Sequence, residues 1–107
     1  MSSIGVPFPI AGGTLPTTTG DLFTSPASRL VRVDSITIVN NDTVARTINL
    51  LLKRSGATAQ RIAPKNLSLG AGAMFQRGPL ALGGGDVIQG DASVAGQLDF
   101  SIQADIF

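Results

Sequence analysis

The 107-residue sequence predicts an all-β chain: an antiparallel two-sheet β-sandwich, Ig-like or a small jelly roll, with an extended N-terminal arm. Three observations lead there. Residues 97–107 alternate without a break, with Leu98, Phe100, Ile102, Ala104 and Ile106 on one parity. Gln97, Asp99, Ser101, Gln103 and Asp105 fall on the other. Successive side chains of a strand point to opposite faces, so this stretch has one apolar and one wet face. Turn-forming clusters recur about every 8 to 12 residues, the spacing of short strands in a sandwich. Finally, no segment keeps an apolar stripe at helical spacing over the length of a globular helix.

Taken in order, residues 1–20 differ from the rest. They hold Pro7, Pro9 and Pro16, the pair Gly12-Gly13 and the run Thr17-Thr18-Thr19, without a charged side chain. Proline fixes φ and biases the residue before it toward extended backbone, so Val6-Pro7-Phe8-Pro9 reads as extended. Ile4, Val6, Phe8, Ile10 and Leu15 are apolar, unlike a free disordered tail. The expectation is an arm, loose alone and laid on a neighbouring chain through those five residues, whose removal leaves the sandwich of residues 21–107 folded.

Leu22-Phe23-Thr24 reads as a short strand closed by Ser25-Pro26. Val31 and Val33 share one parity and Ile36 and Ile38 the other. One extra residue flips every later side chain, so a β-bulge is expected at Asp34-Ser35. Asn40-Asn41-Asp42 reads as a turn. Residues 44–53 form the next strand, Ile48, Leu50 and Leu52 inward, Thr47, Asn49 and Lys53 outward. Leu51 lies on the outward parity and is the expected exposed apolar contact of the sandwich surface. Ser55-Gly56 turns the chain, residues 58–62 give an edge strand, and Pro64, which cannot donate to a ladder, marks an edge or loop. Leu67 and Leu69 alternate, Gly70-Ala71-Gly72 connects, and Met74 and Phe75 are expected in the core. Leu80 and Leu82 precede Gly83-Gly84-Gly85-Asp86, the strongest turn signal, and Val87-Ile88-Gln89 leads through residues 90–96 to the final strand. The count is seven or eight strands.

Composition narrows the function classes. Charged residues are 14% of the chain against 43% hydrophobic; about 25% charged is usual for a chain that covers its own surface. Some of this surface is therefore expected to be covered by a partner. Net charge is +1 and the cations are scattered, so nucleic acid is not an expected partner. No apolar run approaches the roughly 20 residues of a membrane span, and no leader pattern opens the chain, so the cytosol is the expected place of synthesis.

Chemistry has few candidates. There is no His, Cys or Glu, and no catalytic, cofactor-binding or metal-ligating residue is expected. A carboxylate pair would have to come from Asp21, Asp34 or Asp91. Gly83-Gly84-Gly85-Asp86 lacks the following helix of a phosphate loop, and Asp86 with Asp91 is too sparse for a calcium loop. Arg29, Arg32, Arg46 and Arg54 flank neighbouring strands as a solvated face, subunit ion pairs or a binding patch.

Several stretches resemble small β-sandwich virion proteins of tailed bacteriophages. They are Leu22-Phe23-Thr24-Ser25-Pro26, Val33-Asp34-Ser35-Ile36-Thr37-Ile38-Val39-Asn40 and Ala45-Arg46-Thr47-Ile48-Asn49-Leu50. Arg61-Ile62-Ala63-Pro64-Lys65-Asn66-Leu67-Ser68-Leu69 and Gly85-Asp86-Val87-Ile88-Gln89-Gly90 continue the likeness, which spans residues 22–107 as a strand-and-turn pattern. The resemblance implies a non-enzymatic virion part, made in the host cytoplasm. The leading expectation is a capsid decoration (cement) protein that binds other virion proteins, the major capsid protein first, and forms a homo-oligomer, with a trimer favoured. The alternatives are a neck or tail ring component and a carbohydrate-binding β-sandwich; the latter usually stacks sugars on Trp or Tyr, both absent here.

Overall fold

The alternating stretch near the C-terminus is the second strand of a sheet, with a neighbour on each side. A computed structural model describes residues 6–107, with side chains from Ala11 onward. In chain order the strands are β1 Val6–Thr14, β2 Gly20–Thr24, β3 Val31–Asn40, β4 Arg46–Lys53 and β5 Gln60–Arg61. Then come β6 Leu67–Leu69, β7 Met74–Arg77, β8 Leu80–Leu82, β9 Val87–Ala92 and β10 Leu98–Ile106. One sheet runs β1-β10-β3, with β7 and β8 both paired to the far side of β3. The other runs β2-β9-β4, with β5 and β6 both paired to β4. Every pairing is antiparallel.

Taking β5 with β6, and β7 with β8, as interrupted single strands leaves eight, ordered 1-8-3-6 and 2-7-4-5. That is the double Greek key of a jelly roll, which decides between the two sandwich types expected. Between the sheets lie Val31, Val33, Ile36 and Ile38 of β3 with Leu98, Phe100, Ile102 and Ala104 of β10. Facing them are Ile48, Leu50 and Leu52 of β4 and Ile88 of β9.

The parity slip in β3 is a bulge at the expected place. Gln103 pairs with Ser35 and the next residue, Ala104, pairs with Val33, so Asp34 is the extra residue. The kink also breaks the strand beyond it. Gly78 sits between β7 and β8, where a Cβ would stand 2.1 Å from the Asp34 main-chain oxygen. Only glycine lets the backbones pass that close.

Three expectations are corrected. Residues 6–14 are not an arm apart from the sandwich: Val6 pairs with Ile106, and the register continues to Thr14 opposite Asp99, skipping Ile10. Pro7 and Pro9 share a parity on an edge strand, whose alternate N–H groups point away from the sheet, so their missing donors break no ladder bond. Leu15 is not an interaction residue of an arm. Its N–H donates to the Leu98 carbonyl at 2.8 Å and its side chain is buried in the core, so the boundary between residues 20 and 21 does not hold. Met74 does not return to the core. Paired with Val39, it lies on the outer parity and is 60% exposed, while Phe75 packs inward.

Candidate interaction surface

The eight principal strands leave two sets of loops, one at each end. At one end lie residues 15–19, 41–45, 70–73 and 93–97, called the tip below. They are built from Thr, Ala, Gly, Ser, Val, Pro and Asn, with one leucine, one glutamine and one charged residue, Asp42. The Asp42 carboxylate accepts from Arg46 Nε at 2.7 Å and from the Thr43 N–H at 2.7 Å. Arg46 first, then that amide, hold its carboxyl below the usual carboxylate range. The tip therefore presents no uncompensated charge.

The tip is also stiff, because a buried asparagine ties it together. Asn40, the last residue of β3, donates from Nδ2 to the carbonyls of Val44 (3.0 Å), Leu69 (2.9 Å) and Gly70 (3.2 Å). Its Oδ1 accepts from the Asp42 N–H at 2.9 Å. Its own backbone donates to Ala73 and accepts from Gly72. Further bonds lace the remaining loops: Ala92 N–H to Pro16 O, and Asn41 N–H to Gln97 O. From this frame Val44 and Met74 project 50% and 60% exposed.

A sparsely charged surface continues from the tip over the adjoining part of the first sheet's outer face. Thr14, Asp99, Val39 and Met74 line up across four strands, then Gly12, Ser101, Thr37 and Gln76. The one charge in these rows, Asp99, accepts from Asn41 Nδ2 at 2.7 Å. Farther along the same face Arg32 pairs with Asp105 and Asp34, and Asp105 is buried between its neighbours instead of facing solvent as its parity suggests.

The other end and the outer face of the second sheet are polar and charged. The turn at residues 83–86 is clamped by its own aspartate. Asp86 accepts from Arg54 Nη1 (2.8 Å), the Ser55 N–H (2.9 Å) and the Gly83 N–H (2.9 Å). These bonds, Arg54 first, hold its carboxyl below the usual range despite its burial. Arg29 and the exposed Leu30 lie in the adjacent loop. Across the second sheet, Asn49 accepts from Arg61 and the Asn66 N–H and donates to Asp91, which in turn accepts from Thr19.

Of the interaction residues expected from sequence, Ile4 lies outside the described residues, as do the side chains of Val6, Phe8 and Ile10. Leu51 does keep its outward parity, but it is half-buried between its cross-strand partners Gln89 and Arg61 and is no exposed anchor. Among the described residues the exposed large apolar side chains are Leu30, Val44 and Met74. Val44 was hidden in sequence because its parity reads as the start of β4, and Met74 because a lone methionine beside a phenylalanine reads as core. Among the described residues there is no enclosed pocket, no gathering of three metal-capable side chains, and no helix long and apolar enough to cross a membrane. No protein-family model, curated protein or solved structure matches the chain.

Proposed function

We propose that this chain is a non-enzymatic structural protein of a tailed-bacteriophage particle, a capsid decoration protein that binds the assembled shell as a homo-oligomer, with a trimer favoured. The observation that supports this most is the sparsely charged surface from the tip over the adjoining rows of the first sheet's outer face, where Asp99 is the one charged side chain besides the paired Asp42. Hydroxyl, amide and small apolar groups can be buried against another protein without the desolvation cost of unpaired charge. The strand-and-turn likeness to small virion proteins points the same way, and the low overall charge fits a surface that spends its working life covered.

The test is to add the purified chain to phage particles that lack it, then sediment and image them. The expected result is saturable binding at regular sites on the shell. Density confined to the neck or tail would replace the decoration reading with the ring component. Failure to bind particles, together with saturable binding on a glycan array, would replace both with the carbohydrate-binding module.

A further inference from the structure

We infer that the tip is the surface on which copies of this chain meet, so that its occupant is the tip of a second copy related by a rotation axis. Rotational symmetry brings a patch onto the same patch of its neighbour, so any net charge there faces its like. The tip satisfies that condition. Its four loops hold one charged side chain, and Arg46 neutralises it within the same molecule.

The remaining surfaces would cost more to bury against themselves. The opposite end carries the Arg54–Asp86 pair and Arg29, whose Nε donates to the Phe107 main-chain oxygen, so three charged side chains would have to be desolvated there. The outer face of the second sheet carries Asp21, Lys53, Arg61 and Asp91, which sum to no net charge but are four charged side chains that a contact would have to desolvate.

Shape and stiffness point to the same surface. Val44 is exposed on a loop tied by Asn40, and Met74 is exposed as the first residue of β7, directly after the loop that the Asn40 backbone holds, so packing them against a partner orders little that is not already ordered. At the turns, Gly72 (φ +69°) and Gly96 (φ +77°) face open space, with nothing within 4 Å of where a Cβ would stand. Small residues there let two backbones approach closely around the exposed methionine. A partner of opposite charge would find nothing on the tip to attract it. A second tip finds a surface as uncharged as itself.

The inference rests on the homo-oligomer of the proposed function and adds which surface its copies share, and it is tested on isolated full-length protein without particles. Sedimentation is run over about 1 to 100 μM, a range that populates even weak assemblies. Met74→Asp and Val44→Asp each place a like charge at the contact; Leu30→Asp places one at the opposite end. The expected result is a wild-type oligomer, retained by Leu30→Asp and weakened at least about tenfold by each tip variant. Thermal melts establish that the variants fold. If Met74→Asp does not fold, Ala71→Asp, on an exposed turn residue, carries the test. A wild-type monomer throughout, an oligomer that survives the tip charges, or one lost equally with Leu30→Asp would each overturn the inference.

Discussion

Replacing Asn40 by alanine should be the most damaging polar substitution in the tip. The side chain is fully buried, and its Nδ2 serves three carbonyls while its Oδ1 serves one amide. The bond to the Leu69 carbonyl is itself buried, so removing the donor leaves an acceptor that water does not reach, at about 1 to 3 kcal/mol. The Val44 and Gly70 carbonyls and the Asp42 amide are part-buried and can be rehydrated, adding about 1 kcal/mol together. The total is about 2 to 4 kcal/mol, a fall in Tm of roughly 10 to 25 °C for a chain of this size. The chain has no Trp or Tyr, so urea unfolding is followed by far-ultraviolet circular dichroism. Asn41→Ala is the control: it removes one exposed bond, to Asp99, and should cost less than about 1 kcal/mol. Asn40→Asp keeps the acceptor but points a negative oxygen at three carbonyls, so at neutral pH it should be at least as unstable as Asn40→Ala. A loss below about 1 kcal/mol for Asn40→Ala, or one no larger than that of Asn41→Ala, would refute the hub.

Two further outcomes are expected. The lowered carboxyl of Asp86 contributes stability that is complete above the unfolded carboxyl range, near about 3.9, and is lost as pH falls through the folded value below it. Wild-type Tm should therefore hold between about pH 7 and 5 and fall on further acidification. Asp86→Asn should start lower at pH 7 and fall less steeply in acid; parallel acid limbs would show that the clamp contributes nothing. Leu15→Ala should cost about 2 to 5 kcal/mol, because the side chain is only 1% exposed in the core. Deleting residues 1–19 should cost more, since β1 goes with it, and an unchanged melt of the truncated chain would restore the separate arm.

What could be read from sequence was local. The β3 bulge was legible because Val31, Val33, Ile36 and Ile38 record the slip in their own order. The apolar face of β10 was legible for the same reason. What could not be read was who lies alongside. Asp105 has the parity of a wet residue, and it is buried because β1 and β3 flank it and Arg32 pairs with it. Pro7 and Pro9 look like obstacles to a sheet until β1 is known to be an edge. Asn40 reads correctly as the start of a turn, but its role as a buried tie depends on Leu69 and Gly70, some thirty residues away. The outward parity of Leu51 is local to its strand, while its half-burial comes from Gln89 and Arg61 on the strands to either side.

The position of β10 also dictates the order in which the chain can assemble. During synthesis β2, β9 and β4 are all available before β10 emerges, so the second sheet can form while the first is still in pieces. Until then β1 has no hydrogen-bonding neighbour in its sheet, and β3 holds only β7 and β8. Between β1 and β3 is a slot two strand spacings wide, about 9.5 Å, to be filled by the last of the ten strands to be translated. Val6 waits for Ile106, which makes closure non-local and slow. While the slot is open, β10 of another molecule fits it as well as the chain's own. Dilute refolding therefore favours self-closure, whereas crowded refolding favours strand-exchanged copies joined through residues 93–97.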